Sequence, residues 1–352
     1  MRQTQIDRAV QQMKELYRRY GYTQYKMSKF EPYDLYVRNK SFLISEDILT
    51  FTDADGRLMA LKPDVTLSIV KNAKEGRQKV YYSENVYRTS AMTQGFQEIM
   101  QTGLECVGEI DLVAMGEVLL LAAESLERIS GDYLLDVGHL AFVAGLLDSA
   151  GVPENGREEL LKQVEHKNIA ALGGLCRELS LDPGASEDLC RLTTLYGPPQ
   201  QLLPVLEGMV RNNRMADALT ELRDVCALAT GKRLRLDFSI VNNMDYYNGL
   251  IFRGYLPGVP SGVLSGGRYD NLLRQMGRSD CAIGFAVYMN LLERMEEPDT
   301  AFDADVLLLY DDETPVPNLF REAERCRRAG QSVRVERQAP EGLSFQTVRK
   351  VG

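Results

Sequence analysis

The chain has 352 residues, 44% of them hydrophobic and 26% charged, with a net charge of −9. That length fits about two domains, and the apolar share is enough to bury a large core, which excludes a disordered chain. The acidic balance excludes a broadly basic nucleic-acid-binding surface, because neutralising phosphates needs clustered Lys and Arg. The densest basic cluster, Arg325, Arg327 and Arg328, is the exposed face of one predicted helix. The six cysteines form no C-x-x-C pair and are expected to be reduced. With His139 and His166 as the only histidines, neither a zinc site nor any other cofactor is expected. The N-terminus is polar, and no stretch reaches the ~18 apolar residues of a membrane span. The expected location is the cytoplasm, with no membrane partner.

Ile6, Val10, Met13 and Tyr17 recur at spacings of three and four. This predicts an amphipathic helix over 4–20, stopped at Gly21. Residues 47–52 and 57–61 flank Asp53-Ala54-Asp55-Gly56 and are predicted as a hairpin. A helix-like stretch follows from Val65 to Asn72. Strands are predicted over 79–87 and 97–107, a helix over 112–129, and a short strand from Tyr133 to Val137. Hairpins first and a helix later predict an α+β arrangement, an antiparallel sheet flanked by helices.

From about 140 to 232, Leu-rich helical segments are broken by Gly151-Val152-Pro153, Pro183-Gly184 and Gly197-Pro198-Pro199. This region reads as a helical insertion. The strand pattern returns at 235–241 and 249–252. A Gly/Pro/Ser loop is predicted over 254–267, a helix near 268–277, a strand over 281–287 and a helix over 288–296. Pro298-Asp299 marks a linker. Val306 to Val335 reads as half of a small α/β domain. The expected organisation is a core over 1–299 with its insertion, followed by a truncated α/β tail over 300–352.

Three segments carry the chemistry: Lys62-Pro63-Asp64-Val65-Thr66, Val86-Tyr87-Arg88 with Gln101 to Glu105, and Met244-Asp245-Tyr246-Tyr247-Asn248-Gly249 with Ser265 to Asn271. Gln101 and Glu105 are four apart on a predicted strand, so both face one side. Two carboxylates and an amide on one face can bind a cationic amine and a nitrogen heterocycle. Tyr246 and Tyr247 can add a hydroxyl and a ring wall. Taken singly, each of these residues is more simply a surface or hydrogen-bonding group.

Taken together and in this order, they resemble the catalytic core of the histidyl-tRNA synthetase family, from about residue 4 to 296. Lys62 to Thr66 is similar to that family's Arg-Pro-Glu-Gly-Thr segment. Val86-Tyr87-Arg88 resembles the Phe-Arg of class II motif 2. Gln101 to Glu105 is similar to the Gln-Leu-Gly-Cys-Glu strand. Met244 to Gly249 resembles the Leu-Asp-Tyr-Tyr motif, and Gly266-Gly267-Arg268-Tyr269-Asp270 resembles the glycine-rich signature. The resemblance implies a class II aminoacyl-tRNA synthetase-like fold, usually dimeric. It also implies roles. Asp64, Thr66 and Gln101 would hold the α-ammonium of histidine. Glu105 would accept from the imidazole N–H, Tyr246 would contact the ring, and Tyr247 would line the pocket.

The resemblance stops at the arginines. Activating an amino acid with ATP brings two anions together, and cations must neutralise the developing charge. The family's arginine before Asp-Tyr-Tyr falls on Asn242, and its motif 3 arginine falls on Leu291. Residues 89–100, matching the motif 2 loop, contain no basic residue, so only Arg88 remains. Ser28 replaces the motif 1 proline. Each missing contact is worth about 3–4 kcal/mol, on the order of a hundredfold in rate. A synthetase paralogue with a silent histidine pocket fits this pattern: the regulatory subunits of short-form ATP phosphoribosyltransferase. Leu134 to His139 also resembles that family. The resemblance implies a separate catalytic subunit as partner, free histidine as ligand and no catalysis by this chain. An active synthetase with divergent motifs and a histidine-sensing module for another partner are the alternatives.

Overall fold

The computed structural model describes residues 5–39, 48–89, 95–241, 246–294 and 302–352. The chain divides into two compact units: Ile6–Met295, and Glu296–Gly352 with Met1–Gln5.

The larger unit is built on a nine-stranded sheet. Its spatial order is Thr23–Gln24, Gln78–Thr89, Phe96–Gly108, Cys281–Tyr288, Leu264–Arg268, Leu250–Tyr255, Leu134–His139, Leu234–Asp237, Tyr196–Gly197. Neighbours are antiparallel except at two places. Thr23–Gln24 runs parallel to its neighbour, and so does Leu134–His139 beside Leu234–Asp237. One face is covered by the helices Gln5–Arg19 and Leu112–Ile129. Their Met13, Leu16, Tyr17, Val118, Leu119 and Leu126 share one hydrophobic cluster with Leu104, Leu135, Val137 and Phe285 of the sheet. Asp111 caps the second helix, its carboxylate accepting from Ala114 N at 2.8 Å. A second cluster, including Val65, Leu67, Val70, Tyr82 and Tyr269, fills the space beneath the short helix Thr66–Asn72.

The predicted hairpin forms with Phe51 opposite Met59, and Phe30–Pro32 joins it as a third strand. Ser28, at the motif 1 position, accepts from Phe30 N at 3.1 Å. Between 140 and 228 lie six helices: Leu140–Ala150, Glu154–Glu165, Ile169–Glu178, Pro183–Thr194, Pro199–Glu207 and Asn213–Leu228. They share the main cluster with the sheet, so the region grows out of the same core. It is not purely helical. Tyr196–Gly197 pairs antiparallel with Leu236–Asp237 as an edge strand, cut short by Pro198 and Pro199.

Three predicted elements differ. The loop predicted over 254–267 contains the central strand Leu264–Arg268. Its glycines read as breakers, yet they serve close packing. A Cβ on Gly266 would lie 2.4 Å from Phe285 Cβ and 2.5 Å from Gly284 O. The strand predicted over 235–241 ends at Asp237, and the helix predicted over 288–296 is the 3-10 turn Met289–Arg294.

In the smaller unit, Ala304–Leu309 is flanked by two parallel strands, Val333–Glu336 and Phe345–Lys350. The second was not foreseen from the sequence. Val306 and Leu308 pack against Leu319, Ala323 and Cys326 of the helix Val316–Arg328. Among the described residues, no helix is long and apolar enough to cross a membrane.

Gly266→Ala is expected to lower stability by about 1–3 kcal/mol through overpacking. Gly131→Ala, where nothing lies within 4 Å, is expected to change it little. Thermal melts of the two variants measure the contrast.

Candidate functional site

The segment before the Thr66–Asn72 helix is pinned from below. Lys62 is buried, and its Nζ lies 2.5 Å from Glu84 Oε2. Tyr87 N donates to Lys62 O at 3.0 Å, and Arg88 Nε donates to Pro63 O at 2.6 Å. Strand Gln78–Thr89 thus fixes the turn that presents Asp64. Asp64 accepts from Leu67 N at 2.9 Å through Oδ1, and Arg88 Nη2 lies 3.4 Å from Oδ2. Burial raises the Asp64 carboxyl above the usual range, and the Arg88 guanidinium pulls it back.

Glu105 lies on the adjoining strand, Phe96–Gly108. Both its oxygens are occupied: Thr66 Oγ1 donates to Oε1 at 2.8 Å, and Tyr269 OH donates to Oε2 at 2.6 Å. The opposite residue on the next strand is Gly284, where a Cβ would sit 1.7 Å from Glu105 Oε2. The glycine leaves the volume the carboxylate fills. Burial pushes Glu105 up to about 8, against the pull of Tyr269 and Thr66, with Asp64 adding to the rise. Its value in the fold lies above the ordinary one, so its ionisation costs stability. That cost grows as pH climbs from about 4.3 toward about 8.

Two phenols complete the wall. The Tyr246 ring lies 4.7 Å from Tyr247 and 5.5 Å from Tyr269, centroid to centroid. Their turn is tied to the Gly-Gly-Arg-Tyr-Asp strand. Asn248 N donates to Arg268 O at 3.0 Å, Asp270 N donates to Asn248 Oδ1 at 3.0 Å, and Arg268 Nε lies 2.8 Å from Asp270 Oδ2. Arg268 also faces Glu221 of the Asn213–Leu228 helix at 3.8 Å, and Glu221 Oε1 is 2.9 Å from His139 Nε2.

The structure brings every sequence-derived site residue to one cavity. Asp64, Thr66, Arg88, Gln101, Glu105, Tyr246 and Tyr247 all line a space of about 1220 Å³. Gln101 is buried in its wall, on the same strand as Glu105. The cavity extends under the helix Glu154–Glu165, whose Arg157, Leu161 and Lys162 also line it. Sequence reasoning gave no role to Tyr269 or Gly284. Tyr269 stood inside a motif already singled out, but a tyrosine's spacing does not reveal a carboxylate partner 164 positions away. Leu291, at the motif 3 position, packs against the main hydrophobic cluster. Asn242, Asp245 and residues 90–94 of the motif 2 loop lie outside the described residues. All six cysteines are free.

A family model described as histidyl-tRNA synthetase matches residues 1–292. The chain is 30% identical over 336 residues to the ATP phosphoribosyltransferase regulatory subunit of Clostridium kluyveri, covering 90% of this chain and 85% of that one. It is 28% identical to the protein of the same name from Alkaliphilus metalliredigens, covering 90% of this chain and 84% of that one. Among solved structures, a Bacillus halodurans protein titled ATP phosphoribosyltransferase regulatory subunit/histidyl-tRNA synthetase superposes with a TM-score of 0.81 at 24% identity, covering 99% of this chain and 94% of that one. A chain of the ATP phosphoribosyl transferase complex from Thermotoga maritima shares the fold at a TM-score of 0.63 and 20% identity, covering 80% of this chain and 96% of that one. The chain belongs to the histidyl-tRNA synthetase family and, within it, to the ATP phosphoribosyltransferase regulatory subunits.

Proposed function

We propose that the cavity binds free histidine and that the chain is the non-catalytic regulatory subunit of a short-form ATP phosphoribosyltransferase. In this reading a separate catalytic subunit needs it for activity, and histidine feedback on the first step of histidine biosynthesis passes through it. The chain works in the cytoplasm as a class II-type dimer, without nucleic acid, membrane or cofactor. Residues 1–299 form the synthetase-like core with an insertion over about 140–232, and 300–352 form an α/β unit resembling part of an anticodon-binding domain.

The observation that carries this reading is the contrast between the two ends of the site. At the amine and imidazole end, Glu105 is held by two hydroxyl donors and Asp64 is presented from a pinned turn. At the phosphate end, a half-buried Leu291 packs against the hydrophobic cluster where the synthetases place an arginine. In the proposed complex the ammonium meets Asp64, Thr66 and Gln101, the imidazole N–H meets Glu105, and Tyr246 and Tyr247 flank the ring. Arg88, buried beside Asp64, is the cation placed for the carboxylate, since its contacts to Pro63 and Asp64 leave guanidinium donors to spare. Histidine then regulates the partner only through unequal affinity for two assembly states.

Glu105→Ala is expected to weaken histidine binding about tenfold to a hundredfold by calorimetry, the worth of a charge-assisted bond. The affinity should also depend on pH. The imidazole of free histidine ordinarily titrates near ~6.5, Glu105 titrates at about 8, and the complex shares one proton between them. Affinity is therefore expected to peak between these values and to fall on both sides. Glu105→Gln should move the alkaline limb upward, and a flat profile in the unmodified protein would remove Glu105 from the ring contact. The functional test mixes the chain with a short-form catalytic subunit. Phosphoribosyl transfer should rise on mixing and fall when histidine is added. No complex and no gain in rate would sink the regulatory reading, and robust histidine-dependent pyrophosphate exchange would replace it with an active synthetase.

A further inference from the structure

A buried acidic pair lies toward the far edge of the same sheet. Asp136 and Asp237 sit on the parallel neighbours Leu134–His139 and Leu234–Asp237, each only 5% exposed. Two carboxylates this close and this dry are costly unless cations or donors answer them. Lys167 answers one: its Nζ lies 2.8 Å from Asp237 Oδ2 and 5.2 Å from the Tyr196 ring centre. Asp136 Oδ1 has no hydrogen-bond partner. Arg235 and Arg253 are the register partners of Asp136 on the two flanking strands. The Tyr196 and Tyr255 phenols face the carboxylates as well. Asp136 is pushed up to about 7, first by burial and then by Asp237, while Lys167 pulls it down.

Lys167 stands two residues past the helix Glu154–Glu165, whose Glu158, Leu161, Lys162 and Glu165 roof the ligand cavity. Its φ is +53°, in the left-handed region that a side chain with a Cβ rarely adopts. The backbone turns sharply there and brings the ammonium down onto the sheet. The start of the same helix is tied by Arg157 to Asp148, which Arg214 shares.

We infer that Lys167 is a positioning residue that fastens the helix Glu154–Glu165 over the ligand cavity, and that the Asp136–Asp237 pair beneath it makes the fastening proton-dependent. Only its effect on histidine rests on the pocket reading above. The sign follows from linkage. Lys167 in place favours the ionised form of Asp136, so closure releases a proton. The helix is held more firmly as pH rises through about 7 and less firmly below it.

Amide hydrogen exchange over residues 154–165 in the full chain tests this, with histidine dissociation measured alongside. Lys167→Met should speed exchange of this segment roughly fivefold, with Lys167→Arg close to the unmodified protein. Asp237→Asn breaks the same contact from the sheet side and should give the same loss, should Lys167→Met fold poorly. Between pH 6 and 8, protection corrected for the intrinsic base-catalysed rate should rise about threefold, a half-unit of linkage. Asp136→Asn should abolish that rise. Histidine should leave faster from Lys167→Met. Unchanged exchange in both contact-breaking variants overturns the fastening, and a rise that survives Asp136→Asn overturns the proton dependence. If the exchange pattern appears but the unmodified protein binds no histidine, the fastening stands and the pocket reading fails.

Discussion

A carboxylate sunk into the middle of a nine-stranded sheet loses its hydration, and everything within reach must be arranged around that loss. Glu105 is that group. Its two oxygens are met by hydroxyls from opposite directions, Thr66 from a helix start and Tyr269 from a strand end. Its volume is left by a glycine on the adjoining strand. Removing either hydroxyl takes away a contact that favours the ionised acid, and a side chain in place of the glycine takes away its room. The three motifs that looked separate along the chain are therefore mutually dependent in space. Each supplies one wall of the same desolvated acid, and the Tyr246-Tyr247-Asn248 turn is in turn held by the strand that carries Tyr269.

This dependence separates the proposed histidine contacts from the positions where the family carries its phosphate-binding arginines. The residues proposed to meet the amine and imidazole are built into the core: Asp64, Thr66, Gln101 and Glu105 are all buried, so changing them would disturb packing as well. Phosphate-binding arginines have no comparable structural duty, because they reach out to a transferable group through long side chains. Once nothing selects for their charge, a leucine that fills hydrophobic space does as well or better, as Leu291 does. A cavity far wider than one amino acid remains, roofed by a helix of mixed charges, Glu154 to Glu165.

The sheet and its covering helices were legible because their periodicities are strong: the 112–129 helix, the 97–107 strand and the Asp55-Gly56 hairpin all lie where apolar spacing and turn chemistry put them. The strand Leu264–Arg268 was not legible. Paired glycines carry a loop signal, and only the approach of Phe285 and Tyr247 shows that they mark close packing within the sheet. The edge strands Tyr196–Gly197 and Phe345–Lys350 escaped because strands so short or so polar have no pattern of their own. Their identity comes from the neighbour they pair with. Gln101 and Glu105 were legible as one face from their spacing on one strand, whereas Asp64 and Arg88 were singled out by the resemblance of their motifs. Tyr269 and Gly284 were not legible, since what they do depends on a partner that is remote in sequence.

The parallel pairing of Leu134–His139 with Leu234–Asp237 has a consequence for the region between them. Adjacent parallel strands cannot be joined by a hairpin, and the chain must cross over the sheet face, normally through a helix. The six helices between these strands are thus an enlarged crossover connection, entered by Leu140–Ala150 and left by Asn213–Leu228. Such a connection can swell or shrink, but it cannot be deleted and bridged by a tight loop. Any trimming of this protein toward a minimal domain must leave at least one covering helix in place, or the strand order itself will have to change.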